Sequence, residues 1–184
     1  MLLASEKSQL LVIDIQDKVL PAVRDAERVV ARTRVLIESA RRLDVPILVA
    51  EHCPKALGAT VAEVRDALGN EPRVLAKTTF SCARDAALAG ALADGRRKGR
   101  PQVAVAGIES HVCVLQSVLD LNERGYDVFV VADAVSSREP ESRELALARM
   151  RQAGIATVNT EMTVFEWLER GDTPQLKALL PLLK

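Results

Sequence analysis

This chain of 184 residues predicts an α/β fold whose sheet is parallel and covered on both faces. Two observations carry that expectation. Short apolar runs alternate with helical patterns from one end to the other, the signature of right-handed βαβ units stacked as a three-layer sandwich. The runs themselves are nearly continuous in Val, Ile, Leu and Ala, as in strands buried on both sides, rather than alternating apolar and polar.

The elements follow in order. Residues 10–15 predict the first strand, and 25–43 a helix by their periodicity. The second strand is expected over 46–50 and the third over 73–77. An alanine-rich helix covers about 83–93, and 102–107 form the fourth strand. An amphipathic helix is expected over 114–124, then a fifth strand over 127–132. Residues 141–153 are helical and stop at Gly154, a residue suited to the position after a helix end. The sixth strand is 155–158, a further helix 160–170, and the apolar end 174–184 suits a short docking helix. Residues 52–70, with Pro54 and Gly58, are the least regular and predict a loop over the site.

The length allows one domain with a real core, expected to span 1–184. Hydrophobic residues make up 48% of it, so disorder is not the default. Acidic and basic residues number 25 each, and the zero net charge argues against nucleic acid or an anionic membrane as the main partner. The one basic run, Arg96-Arg97-Lys98-Gly99-Arg100, is expected to be a solvated loop rather than a phosphate site. Cys53, Cys82 and Cys113 are an odd count without a close pair, which fits a reducing cytoplasm better than a disulfide framework. The first residues lack a basic stretch leading into a long apolar core, and no apolar run approaches the ~18 residues of a membrane span, so neither a signal peptide nor a span is expected.

Cys113 is the most informative position for chemistry. It follows the fourth strand and falls in the first turn of the next helix, where free N–H groups and the helix dipole favour a thiolate. Open α/β sheets bind ligands at that carboxyl edge. Asp14 interrupts the apolar first strand, and a carboxylate is expensive to bury alone. It is either a strand-end residue bonding loop amides or a base at the ligand edge. Lys77 holds the matching place on the third strand, as a snorkelling side chain or as the positive charge that a nucleophilic thiol needs. Cys53 and Cys82 lack such settings and are expected to pack. The two histidines, His52 and His111, make no metal-binding spacing, and neither a dinucleotide nor a P-loop fingerprint occurs, so no metal and no cofactor are expected. Ser110 and His111 are adjacent, about 100° apart on a helix, and do not form a pair.

Taken together, residues 12–17 (VIDIQD), 77–81 (KTTFS) and 107–114 (GIESHVCV) resemble the first-strand, lysine and nucleophile motifs of the isochorismatase-like cysteine hydrolase superfamily. The resemblance covers nearly the whole chain. Residues 51–58 (EHCPKALG) and 131–138 (VADAVSSR) are most similar to the branch of isochorismatase-domain-containing proteins, with His52 and Cys53 standing where Gln and Tyr would be expected. The resemblance implies a six-stranded parallel sheet of order 3-2-1-4-5-6, with Asp14 and Cys113 ending neighbouring strands at the switch point and Lys77 about 10 Å away in the sheet direction. It implies a catalytic set of Asp14, Lys77 and Cys113, an oxyanion hole from the backbone N–H groups of Glu109 and Cys113, and a cis peptide at Ile108–Glu109. Gln16, His52, Phe80 and His111 are expected to line the substrate pocket. The presence of the cysteine points toward amide-type C–N hydrolysis of a small molecule rather than vinyl-ether cleavage. A binding or scaffold protein on the same fold is the alternative; a redox sensor lacks a resolving cysteine beside Cys113. The apolar tail Leu176, Leu179, Leu180, Leu182 and Leu183, with the superfamily's habit of assembling, predicts a homo-oligomer, a dimer or larger.

Overall fold

The computed structural model describes residues 1–70 and 72–183. Lys184, the end of the expected tail helix, and Glu71 lie outside the described residues. Six strands, β1 Ser8–Ile13, β2 Ile47–His52, β3 Val74–Lys77, β4 Gln102–Ile108, β5 Asp127–Ser136 and β6 Ala156–Val158, form one sheet of order β3-β2-β1-β4-β5-β6. Every pair is parallel. The helices are α1 Ala26–Arg42, α2 Pro54–Leu57, α3 Ala62–Leu68, α4 Ala86–Arg97, α5 Leu115–Glu123, α6 Pro140–Gln152, α7 Thr160–Leu168 and α8 Pro174–Leu183.

The two-sided burial has a direct cause in the strand sequences. All six residues of β1 and all seven of β4 are buried. Successive residues point to opposite faces. Leu11, Ile13, Val103 and Val105 pack with Leu88, Leu92, Val118, Leu121 and Met150 of α4, α5 and α6. Leu10, Val12, Ala104 and Ala106 pack with Val29, Leu36, Ile37, Val64 and Trp167 of α1, α3 and α7. Each fully buried Leu or Ile is worth about 1.5–3 kcal/mol of transfer energy, so an unbroken apolar run favours a strand with two covered faces over one at a surface.

Two segments differ from the sequence expectation. The irregular stretch 52–70 holds two helices, α2 and α3, rather than a loop. Val64, Ala67 and Leu68 give α3 a buried face in the α1 layer. β5 runs on to Ser136, past the expected end at 132, and its ladder with β4 shifts register between Val105 and Gly107. Asp133 hides that extension in the sequence, but its carboxylate accepts from the Thr160 N–H (2.8 Å) and hydroxyl (2.9 Å) at the start of α7. The tail is a helix, as expected, and its apolar side is used within the chain: Leu179 is fully buried among Val164, Leu168, Val35 and Leu43. Docking thus accounts for part of the apolar tail, while Leu180 stays exposed. No described helix is long and apolar enough to cross a membrane.

β1 and β4 approach each other closely near the ligand edge, at Gly107. Gly107 sits at φ +131°, and a Cβ there would overlap the carbonyl oxygen of Ile13. Both the conformation and the space demand glycine. Gly107→Ala is expected to lower unfolding free energy by about 3 kcal/mol or more, combining backbone strain with displacement of a buried strand. Denaturant titration checks this; a loss below ~1 kcal/mol would show that the strands can separate without penalty.

Candidate active site

Three chain ends meet at the carboxyl edge of the sheet. β1 stops at Ile13, and Asp14 turns the chain with φ +54°, its N–H still donating to the Ala50 carbonyl at 3.0 Å. That turn places the carboxylate at the switch point rather than within either apolar layer. β3 ends at Lys77, whose side chain crosses above β2. Its Nζ donates to Asp14 Oδ2 at 2.8 Å, and both side chains are all but sealed from water. β4 ends at Ile108, and the Ile108–Glu109 peptide is cis, as the resemblance implies. Cys113 follows in a π-helical turn, Ser110–Val114, that leads into α5. The expectation of an ordinary first α-turn is thus corrected; wide turns of this kind recur at functional sites. The Glu109 carbonyl accepts from the N–H groups of Val112 (3.1 Å) and Val114 (3.3 Å), on either side of Cys113.

The electrostatics follow from burial. Burial pushes the Asp14 carboxyl up from its usual range, and the Lys77 ammonium opposes this without cancelling it. Burial works against the Lys77 charge too, but the adjacent Asp14 carboxylate outweighs it and the ammonium is held above its ordinary value. Cys113, 6% exposed, lies against both. Burial, then the neighbouring Asp14 carboxylate, raise its thiol well above the ordinary value. Desolvation and the Asp14 charge thus oppose the thiolate that the helix start favours. Asp14 Oδ1 is buried and has no partner of good hydrogen-bond geometry.

The four expected pocket residues separate into different roles. Gln16 is buried, and its amide group donates to the carbonyls of His52 (3.1 Å) and Gly58 (2.6 Å) while accepting from the His52 N–H (2.8 Å). It clamps the end of β2 to the α2 segment, and both its donors are engaged. His52 and Phe80 form a tilted ring pair with centroids 5.3 Å apart, and Phe80 is 49% exposed. His111 Nδ1 is 2.9 Å from Ser137 Oγ. Glu109 is anchored through its carboxylate, which accepts from the Arg138 N–H (2.9 Å) and Nε (3.1 Å).

Cys82 packs as expected, fully buried, its thiol pushed up to about 12 by burial. Cys53 does more than pack. It lines a cleft of about 490 Å³ with Pro54, Lys55, Ala56 and Thr78, on the flank of Lys77. Its position next to His52 in the chain was the available signal. The basic run is solvated as expected, with residues 96–99 exposed, although it starts within α4 and two of its arginines also bond backbone: Arg96 donates to the Arg124 carbonyl (2.7 Å) over the Tyr126 ring, and Arg100 to the carbonyls of Ser5, Ser8 and Asp44. Among the described residues, no group of three His, Cys, Asp or Glu side chains is placed to hold a metal.

The sheet order, the strand-end residues and the turn before α5 define a class, and the comparison with known proteins agrees. Residues 8–162 match the isochorismatase domain, and the chain belongs to that family. Mouse isochorismatase domain-containing protein 2A is 38% identical over 179 residues, 97% of this chain and 84% of that protein. Among solved structures, the Caenorhabditis elegans MAR1 ribonuclease superposes with a TM-score of 0.92 at 35% identity, covering 100% of this chain and 92% of that one. YcaC from Pseudomonas aeruginosa, solved with hexane-2,5-diol and covalent acrylamide, gives 0.89 at 25% identity over 98% and 91%.

The buried ion pair makes a testable demand on stability. Lys77→Met strands the Asp14 carboxylate and is expected to cost about 3–5 kcal/mol at pH 7. The folded variant then binds a proton at Asp14 more tightly than the unfolded chain does. Its stability is fullest below the unfolded aspartate value and is lost as pH rises through the raised folded one. Urea titrations at pH 7 and pH 5 check this; an equal deficit at both would contradict it.

Proposed function

We propose that the chain is a cysteine hydrolase of a small amide or related C–N bond, acting through a thioester on Cys113. The observation that carries the proposal is the division of the Asp14 carboxylate. One oxygen is fixed by Lys77 at 2.8 Å, the other is buried without a partner of good hydrogen-bond geometry, and the Cys113 thiol lies against the same carboxylate. A carboxylate made more basic by burial, beside a thiol whose ionisation burial opposes, is a proton acceptor waiting for the nucleophile to be used.

The steps follow from that arrangement. Asp14 takes the Cys113 proton as sulfur attacks the carbonyl carbon and the C=O electron pair moves to oxygen. The N–H groups of Glu109 and Cys113 receive this oxyanion. The tetrahedral species collapses, the C–N bond breaks, and Asp14 passes its proton to the leaving nitrogen. Water then attacks the thioester with Asp14 as base, the C–S bond breaks, and the thiol is restored. Lys77 keeps a positive charge beside Asp14 throughout. The C. elegans relative bears the name of a ribonuclease. RNA suits this chain less well, because its net charge is zero and two of the four cations in its one basic run are engaged with backbone carbonyls.

An amide and ester library screened by intact-protein mass spectrometry tests the proposal. The expected result is an acyl adduct on Cys113. A ligand that binds without adduct or turnover would favour the scaffold reading instead. Asp14→Asn is expected to slow acylation by about 10³. The rate for the unaltered protein should fall on acidification along a limb displaced above the ordinary aspartate value of 3.8, because Asp14 must be ionised to accept the proton. A rate independent of Asp14 would overturn the mechanism.

We also propose that the chain forms a dimer or larger assembly. With part of the tail docked internally, support comes also from Met162 and Phe165, three residues apart on α7 and both more than two-fifths exposed. Light scattering at micromolar concentration is expected to exceed the 20.0 kDa of one chain; a monomer would rule this out.

A further inference from the structure

We infer that Phe80 is a gate over Cys113: its ring, on the loop of residues 78–81, leaves His52 to let a broad ligand reach the thiol, so this loop sets the size of substrate admitted. The inference rests on the cysteine-hydrolase reading above and adds what controls entry to the nucleophile.

The three reacting groups are closed off from solvent. The Lys77 and Asp14 side chains are 0% and 5% exposed, and Cys113 is buried beside them. A carbonyl group meets the sulfur only if a path opens. Lys77 ends β3 in direct register with His52 of β2. Paired residues on adjacent strands lie about 4.8 Å apart with their side chains on one face. The His52 ring therefore flanks the lysine stem as it crosses β2 toward Asp14. Phe80 leans on that ring, centroids 5.3 Å apart, and is half open to solvent. Ion pair, His52 and Phe80 thus succeed one another from the sealed interior to the surface.

The loop that carries Phe80 bridges two fixed points. At its start, the Lys77 carbonyl accepts from the Cys53 N–H at 2.9 Å. At its end, Cys82 is fully buried in the same apolar cluster as Cys113. The Cys82 N–H donates to Ser117 Oγ at 2.8 Å, one turn beyond Cys113 on α5. Arg84 adds a bidentate pair to Asp120 of α5, at 2.7 and 3.0 Å. Four residues thus run from the lysine to the nucleophile helix. Among the described residues, no backbone–backbone hydrogen bond ties 78–81 to a strand or an α-helix. Within the segment, the Ser81 carbonyl accepts from the Thr79 hydroxyl (2.9 Å) and the Arg84 N–H (3.2 Å). A segment clamped at both ends and unbonded between them opens locally while the sheet stays in place. Half of the Phe80 surface is already in water, so lifting the ring forfeits only part of its burial energy.

Two buried cysteines serve as probe and control. Iodoacetamide is slender and N-ethylmaleimide is broad; sulfur displaces iodide from the first and adds across the double bond of the second. Peptide mass spectrometry gives the labelling rate at Cys113, divided for each reagent by its rate with a small free thiol. The unaltered protein is expected to discriminate against N-ethylmaleimide on this scale. Phe80→Ala should raise the ratio of N-ethylmaleimide to iodoacetamide labelling about tenfold, because a gate open about one-tenth of the time lowers the apparent rate by that fraction. Phe80→Tyr keeps the ring and should leave the ratio within about twofold of its original value. Cys82, fully buried at the anchored end of the loop, should stay unlabelled throughout. A ratio unchanged by Phe80→Ala, or a rise accompanied by labelling of Cys82, would overturn the inference and leave the hydrolase reading intact. Absence of Cys113 labelling by iodoacetamide in the unaltered protein and in Phe80→Ala alike would sink both.

Discussion

A single buried ion pair organises this end of the molecule. Asp14 and Lys77 come from strands that are not neighbours, and their 2.8 Å contact bridges the C-terminal ends of β1 and β3 above β2. Neither charge is tolerable alone at that depth. Pairing makes both tolerable, and it leaves one carboxylate oxygen for chemistry. The interaction thus holds two strand ends together, and in the proposed mechanism its electrostatics act on Cys113.

The backbone around the pair is shaped to deliver it. Asp14 adopts a left-handed conformation immediately after β1, Gly107 lets β4 approach Ile13 closely, and a π-helical turn carries Cys113 into α5. All three lie at the switch point, where the strand order reverses about β1 and β4 and the carboxyl ends splay to admit a ligand. The layers beneath are ordinary apolar packing. They hold the strand ends in register, so the three groups meet without long loops to position them.

Much of this was legible in the residues. The apolar runs marked six strands because burial on both faces leaves no polar alternation to confuse them, and Asp14 stood out because an ionisable side chain in such a run is costly. The three motifs at plausible spacings gave the family and, through it, the strand order. What the sequence hid was tertiary in origin. α3 was missed because a seven-residue helix after a Pro/Gly-containing stretch shows only one buried face, Val64, Ala67 and Leu68. Gln16 resembled a pocket residue, yet its amide is engaged with backbone from β2 and the α2 segment, a contact between positions 36 and 42 residues apart. The surroundings of Cys113 were hidden in the same way: a helix start is local and legible, whereas desolvation and a carboxylate from another strand are not.

The central claim is that burial keeps Asp14 a stronger base than an ordinary aspartate while Lys77 holds it ionised at neutral pH. A carbon-13 NMR titration of the Asp14 side-chain carboxyl measures this directly. The account predicts a midpoint above 3.8, moving further up when Lys77 is replaced by Met. A midpoint at or below 3.8 would contradict it, since Asp14 would then be a salt-bridge anion with too little basicity to take the proton of Cys113.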